Sequence, residues 1–118
     1  MAGMTWNYQT AVERMAGMYR MEDLLTLLRK EGAEELRLAS DTPPLVVNGG
    51  KSRSLDTPGL STEELDTLLN SITKEEQRRE LEKCGDIRFI FTQNSTRFAL
   101  TATHSSGALH ILIRNLDN

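Results

Sequence analysis

From Asp86 to Arg114 the chain alternates apolar and polar residues three times over. Ile87, Phe89 and Phe91 share one phase, with Arg88, Ile90 and Thr92 on the other. Phe98, Leu100 and Ala102 repeat the pattern, and Leu109, Ile111 and Ile113 repeat it again. A side-chain period of two marks a half-buried strand. The polar breaks Gln93-Asn94-Ser95 and Ser105-Ser106-Gly107 join the runs as turns. The stretch therefore predicts an antiparallel meander with one face in a core, and the chain upstream has to supply the cover.

The upstream sequence fits that task. Arg20 to Glu31 reads as a helix with Met21, Leu24, Leu27 and Leu28 on one face, acids in its first turn, bases in its last, and Gly32 as its C-terminal cap. Glu34 to Ala39 alternates as a strand, and Pro43-Pro44 ends the loop after it. Leu45 to Asn48 and Lys51 to Leu55 form a hairpin about Asn48-Gly49-Gly50, the second strand polar and at an edge. Ser61 and Glu64 fit a capping box, followed by Leu65, Leu68, Leu69 and Ile72 on a helix face. Thr73 and Glu76 fit a second box, opening a polar helix to Lys83 that leans on the core through Leu81, with Gly85 as its cap. The pattern predicts an α+β domain over residues 20–118, an antiparallel sheet with helices on one face. Residues 1–19, rich in Met with Trp6 and Tyr8, read as a leader, either helical or disordered.

A chain of 118 residues suits one domain. Its net charge of -3 argues against a nucleic-acid partner. No apolar run reaches membrane-spanning length, which argues against direct insertion, and Trp6, Asn7, Glu13 and Arg14 interrupt any secretory signal. Cys84 is the single cysteine, so no intrachain disulfide forms. A cytoplasmic protein is the expectation.

No catalytic residues, metal site or cofactor are expected. Gly49-Gly50-Lys51-Ser52 lacks the upstream glycine of a phosphate-binding loop and reads as a hairpin turn. His104 and His110 fall short of a zinc set, even with Cys84. Cys84, at a helix C-terminus where a thiolate is disfavoured, reads as a semi-buried apolar residue. The strand arginines Arg88, Arg97 and Arg114 present planar forks suited to phosphate or carboxylate, against a plainer reading as solubilising charge.

From Met21 to Leu116 the chain resembles the N-terminal domain of the type IV pilus retraction ATPases (PilT) and their relatives in type II secretion. The resemblance rests on Gly32-Ala33-Glu34-Glu35-Leu36-Arg37-Leu38, then Pro43-Pro44 leading to Asn48-Gly49-Gly50. It continues through Ile72-Thr73-Lys74-Glu75-Glu76-Gln77, Asp86-Ile87-Arg88-Phe89, Arg97-Phe98-Ala99-Leu100-Thr101 and Ile111-Leu112-Ile113-Arg114-Asn115-Leu116. It implies a PAS-like domain that in the family precedes a RecA-like ATPase core. In the family hexamer the domain packs on a neighbouring core, its strand arginines reaching toward that neighbour's nucleotide. By resemblance Arg97 and Arg114 are the nucleotide-neighbouring or interface residues, and Arg37 and Arg88 are further interface candidates. The chain departs from the pattern at Arg37, where the family has histidine, at Val47, where an arginine is usual, and at Ala99, in place of the strand's second arginine.

The resulting expectation is a non-catalytic interaction module whose partner is a pilus or secretion motor ATPase, or a second copy of itself. The Met1 start and the end after Leu116-Asp117-Asn118 point to a complete small protein. One alternative is the N-terminal part of a full ATPase, which a phosphate-binding motif in frame after Asn118 would reveal. A further alternative is a PAS-like sensor holding a small ligand between sheet and helices, although the apolar residues suffice only to fill a core.

Overall fold

The computed structural model describes residues 20–117. The leader expected over residues 1–19 lies outside them. In chain order the elements are α1 (Met21–Lys30), β1 (Glu35–Ala39), β2 (Leu45–Asn48), β3 (Lys51–Ser54), α2 (Thr62–Asn70), α3 (Glu75–Cys84), β4 (Asp86–Gln93), β5 (Thr96–Ser105) and β6 (Ala108–Asn115). The six strands form one antiparallel sheet in the order β3-β2-β1-β6-β5-β4. This is the α+β architecture that the alternation predicts. The hairpin half and the meander half meet along β1 and β6, where Leu36 pairs with Ile113 and Leu38 with Ile111.

All three hairpins turn on two residues, and in each both have positive φ: Gly49 and Gly50, Asn94 and Ser95, Ser106 and Gly107. That is the dihedral requirement of a type I′ turn, whose twist matches the strands it joins.

One sheet face is covered. Leu36, Leu38, Val46, Ile87, Phe98, Leu100, Ala102, Leu109, Ile111 and Ile113 are buried, together with Met21, Leu24, Leu25 and Leu28 of α1 and Leu65, Leu68 and Leu69 of α2. α2 packs on β1 and β6, and α3 on β4 and β5. No polar side chain is buried among the described residues. Phe98 is fully buried and stacks on Phe91 at 5.5 Å between ring centroids.

Local signals behave as their chemistry requires. The Ser61 hydroxyl accepts from the Glu64 N–H at 3.1 Å, and the Glu64 carboxylate accepts from the Ser61 N–H at 2.7 Å, so the first capping box is complete. The second one shifts. The Thr73 hydroxyl donates instead to the Leu69 carbonyl at 2.9 Å, closing α2. α3 then starts one residue later than its box implied, with the Lys74 N–H donating to the Gln77 side chain at 2.8 Å. Gly85 takes a left-handed φ of 87° after α3, as a C-terminal cap should. Leu55 leaves the sheet after Ser54 and turns into the core rather than extending β3.

The long connection after β3 is pinned to the loop after β1. The Asp41 N–H donates to the Leu60 carbonyl, and the Leu60 N–H donates back to Thr42. A Cβ on Gly59 would sit 2.7 Å from the Asp41 carbonyl carbon, so only glycine lets the two backbones cross there.

Two substitutions separate core from local contributions. Phe98→Ala should cost about 3–5 kcal/mol by leaving a cavity under the meander. Ser61→Ala should cost about 1 kcal/mol by removing one cap bond. Urea unfolding followed by circular dichroism measures both, and equal losses would contradict this division of the core from the cap.

Candidate functional site

The other face of the sheet carries no helix among the described residues, and the parity of the strands decides what it displays. Glu35, Arg37 and Ala39 of β1 register against Arg114, Leu112 and His110 of β6. Those residues face Ala99, Thr101 and Thr103 of β5, which in turn face Ile90, Arg88 and Asp86 of β4. All four arginines singled out from the sequence, Arg37, Arg88, Arg97 and Arg114, therefore stand on this one face, and all four are exposed.

Their partners differ. Arg37 donates to the Glu35 carboxylate through two nitrogens, at 3.0 and 3.3 Å. The other Glu35 oxygen lies 3.9 Å from the Arg114 guanidinium, so one carboxylate sits between two cations. Sequence reasoning passed over Glu35, although its place on the outer phase of β1 beside Arg37 was the available signal. Asp117 holds Arg97: one carboxylate oxygen accepts from its backbone N–H at 2.7 Å and the other from its guanidinium at 3.0 Å. Those two hydrogen bonds from Arg97, the backbone one foremost, hold the Asp117 carboxyl below the usual carboxylate range. Arg88 has no ion-pair or hydrogen-bond partner among the described residues. Exposed pairs of this kind contribute little to stability. Their structural effect is to fix where the guanidinium forks point.

Between the arginines lie apolar side chains. Ile90 is 66% exposed, a large apolar residue on the polar phase of its strand. Val47, Leu45, Ala99 and Leu112 are half-buried on the same face. Ala99 sits between Arg114 and Ile90 in register, so an arginine there would put two like charges directly opposite each other. A shallow hollow of about 660 Å³ opens on this face beside Arg37, Leu45, Thr101, His110 and Leu112.

The remaining candidates resolve simply. Gly49-Gly50-Lys51-Ser52 is the β2–β3 turn and the start of β3, with no helix after it. His104 lies within β5 and His110 within β6, and both histidines are exposed. Cys84 is exposed, not semi-buried, because it ends α3 on the helix's outer side. No group of three or more His, Cys, Asp or Glu that could hold a metal ion occurs among the described residues. No helix among them is long and apolar enough to cross a membrane. An arrangement of planar guanidinium forks around an aliphatic strip can bind carboxylates and apolar side chains together, the composition of a protein interface.

No protein-family model matches the chain. Over 97 residues it is 25% identical to the type IV pilus retraction ATPase PilT of Pseudomonas aeruginosa, which covers 81% of this chain and 28% of that protein. The crystal structure of the pilus retraction motor PilT with bound ADP superposes with a TM-score of 0.73 at 26% identity, covering 81% of this chain and 29% of that one. The ATPase DotB of Legionella pneumophila shares the fold, with a TM-score of 0.67 at 23% identity over 82% of this chain and 29% of that one. The chain thus spans under a third of the length of the relatives it matches, and the matched part is their N-terminal region.

The Asp117 carboxyl titrates lower when folded than when unfolded. What the Arg97 contact contributes is therefore present above the ordinary carboxylate range and lost as pH falls through the depressed value. Carboxyl NMR titration of the folded chain should show Asp117 below the ordinary aspartate value. Arg97→Ala should bring it back part of the way, the hydrogen bond from the backbone N–H surviving the substitution. An unchanged Asp117 midpoint in that variant would contradict the side-chain contact.

Proposed function

We propose that this chain, an N-terminal domain of the PilT and secretion ATPase family, acts as a non-catalytic docking module. Its helix-free sheet face would seat on the core of a pilus or secretion motor ATPase. One observation carries the reading: four exposed arginines and an aliphatic strip share a face that no part of the described chain covers. The absence of a Walker-type loop from the sequence supports a binding role. A cytoplasmic location goes with such a partner.

The arginines then have distinct tasks. Arg88, without a partner among the described residues, is the fork for an acidic group on the motor. Arg97 is held by Asp117, and Arg114 lies beside the Glu35 carboxylate. Ala99 in place of a third cation leaves this face better suited to an apolar and acidic protein surface than to the concentrated charge of a triphosphate.

A second reading is favoured by the coverage of 28–29% of the relatives. On it the same domain is the first part of a longer ATPase, and the face seats on a neighbouring subunit of the same assembly. Sequencing in frame past Asn118 separates the two readings.

Capture of the chain by a purified pilus motor core tests the docking. The parent chain should bind, and binding should weaken as salt rises. Arg88→Glu and Arg114→Glu should each weaken it about tenfold or more. Lys74→Glu, at the start of α3, should leave it unchanged. No capture of the parent chain, or equal loss in all three variants, would sink the reading.

A further inference from the structure

Among the described residues, only one of the two sheet edges is defended. β3 is four residues long, exposed throughout, carries Lys51 and Arg53, and follows a Gly-Gly turn. Short length and charge are the usual means of blunting an edge. β4 closes the other side with eight residues that include no proline, glycine or lysine. It pairs with β5 from Asp86 to Gln93 without a bulge.

The outward groups of β4 follow from the hydrogen bonding. The Gly85 carbonyl accepts from the His104 N–H, so Gly85 points at β5. The Arg97 carbonyl, opposite Thr92, accepts from the Leu116 N–H on the far side, so that pair is not bonded across β4–β5. Alternation then turns the N–H and C=O of Asp86, Arg88, Ile90 and Thr92 away from β5. Ile90, 66% exposed, stands in that row, and Phe89 and Phe91 on the covered face are only half-buried.

We propose that β4 pairs antiparallel with β4 of a second copy of this chain, about a two-fold axis at Phe89, merging two six-stranded sheets into one. The register argues for a second copy as the occupant. With the axis at Phe89, Asp86 faces Thr92 of the copy and Arg88 faces its Ile90. Every outward N–H and C=O of these four residues then has a partner on both strands. Moving the axis by one residue strands the groups of Asp86 or Thr92 and, in one direction, sets Arg88 against Arg88. The same register lays Phe89 on Phe89 and Ile87 on Phe91 across the covered face. On the open face it lays the Arg88 stem on Ile90 and directs Asp86 toward Arg97, which lies beyond Thr92 of the copy. Such an interface is isologous and closes at two copies. Its hydrogen bonds come from the β4 edge, while Arg88 and Ile90 belong to the arginine face as well. The pairing is measured on the chain alone, so its failure is distinguishable from a failure of docking on a motor.

Sedimentation equilibrium of the full chain over a concentration series tests the pairing, alongside hydrogen exchange of the β4 amides. A monomer–dimer equilibrium is expected, with the Arg88, Ile90 and Thr92 amides slowing as dimer forms. Ile90→Pro should abolish the dimer and keep the parent's circular dichroism, because the N–H it removes points away from β5. Ile90→Lys, which keeps every backbone group, should weaken the dimer and serves if the proline variant does not fold. A parent chain that stays monomeric, or a dimer that persists in both variants, overturns the proposal. So does a monomer whose β4 amides become exposed only on deletion of residues 1–19, since the leader would then hold the edge.

Discussion

A sheet covered on one face only must solve two problems with one pattern of side chains. Every second residue has to fill a core, and every other residue has to be acceptable to water or to a partner. The rest of this domain depends on that constraint. The inward phase of five strands, from Leu36 to Ile113, is buried with the leucines of α1 and α2. The outward phase is then free to collect function, since nothing on it is needed to hold the helices. Four arginines standing on one face follow from strand parity, not from any local motif. Glu35 and Asp117 keep three of them from being a diffuse cloud of charge.

The pairing of β1 with β6 sets the geometry of that face. It brings Arg37 and Glu35, from the first strand, beside Arg114, from the last. Neither half of the sheet alone assembles the group. The long connection through α2 and α3 places cover on the inner face without crossing the outer one. The Gly59 backbone crossing holds the start of that connection against the loop that follows β1.

Much of this was legible in the sequence because it is local. Alternation gave the phase of each strand, so the outward direction of Arg88, Arg97 and Arg114 followed directly. Asn48-Gly49-Gly50, Ser61-x-x-Glu64 and Gly85 announced a turn, a cap and a stop whose chemistry lies within a few residues. What escaped was set by contacts distant in sequence. Strand order is one example, since alternation assigns faces but not neighbours. Thr73 is another: its hydroxyl has two helices to choose between, and the carbonyl of Leu69 behind it won over the amides ahead. Cys84 shows a third limit, because position at a helix end does not say which side of the helix meets solvent. The exposure of Ile90 was visible as an apolar residue out of phase. Its meaning depends on β4 lying at an edge, which only the assembled sheet reveals.

The place of β6 also bears on how such a domain is made. It is the last of the nine elements in the described residues and lies inside the sheet, between β1 and β5. On a ribosome, α1 through β5 emerge before the strand that unites them. Their buried leucines must then wait in a partly assembled chain, a period of exposure that invites chaperones and mispairing. A chain interrupted just short of β6 would hold two half-sheets without the strand that joins them.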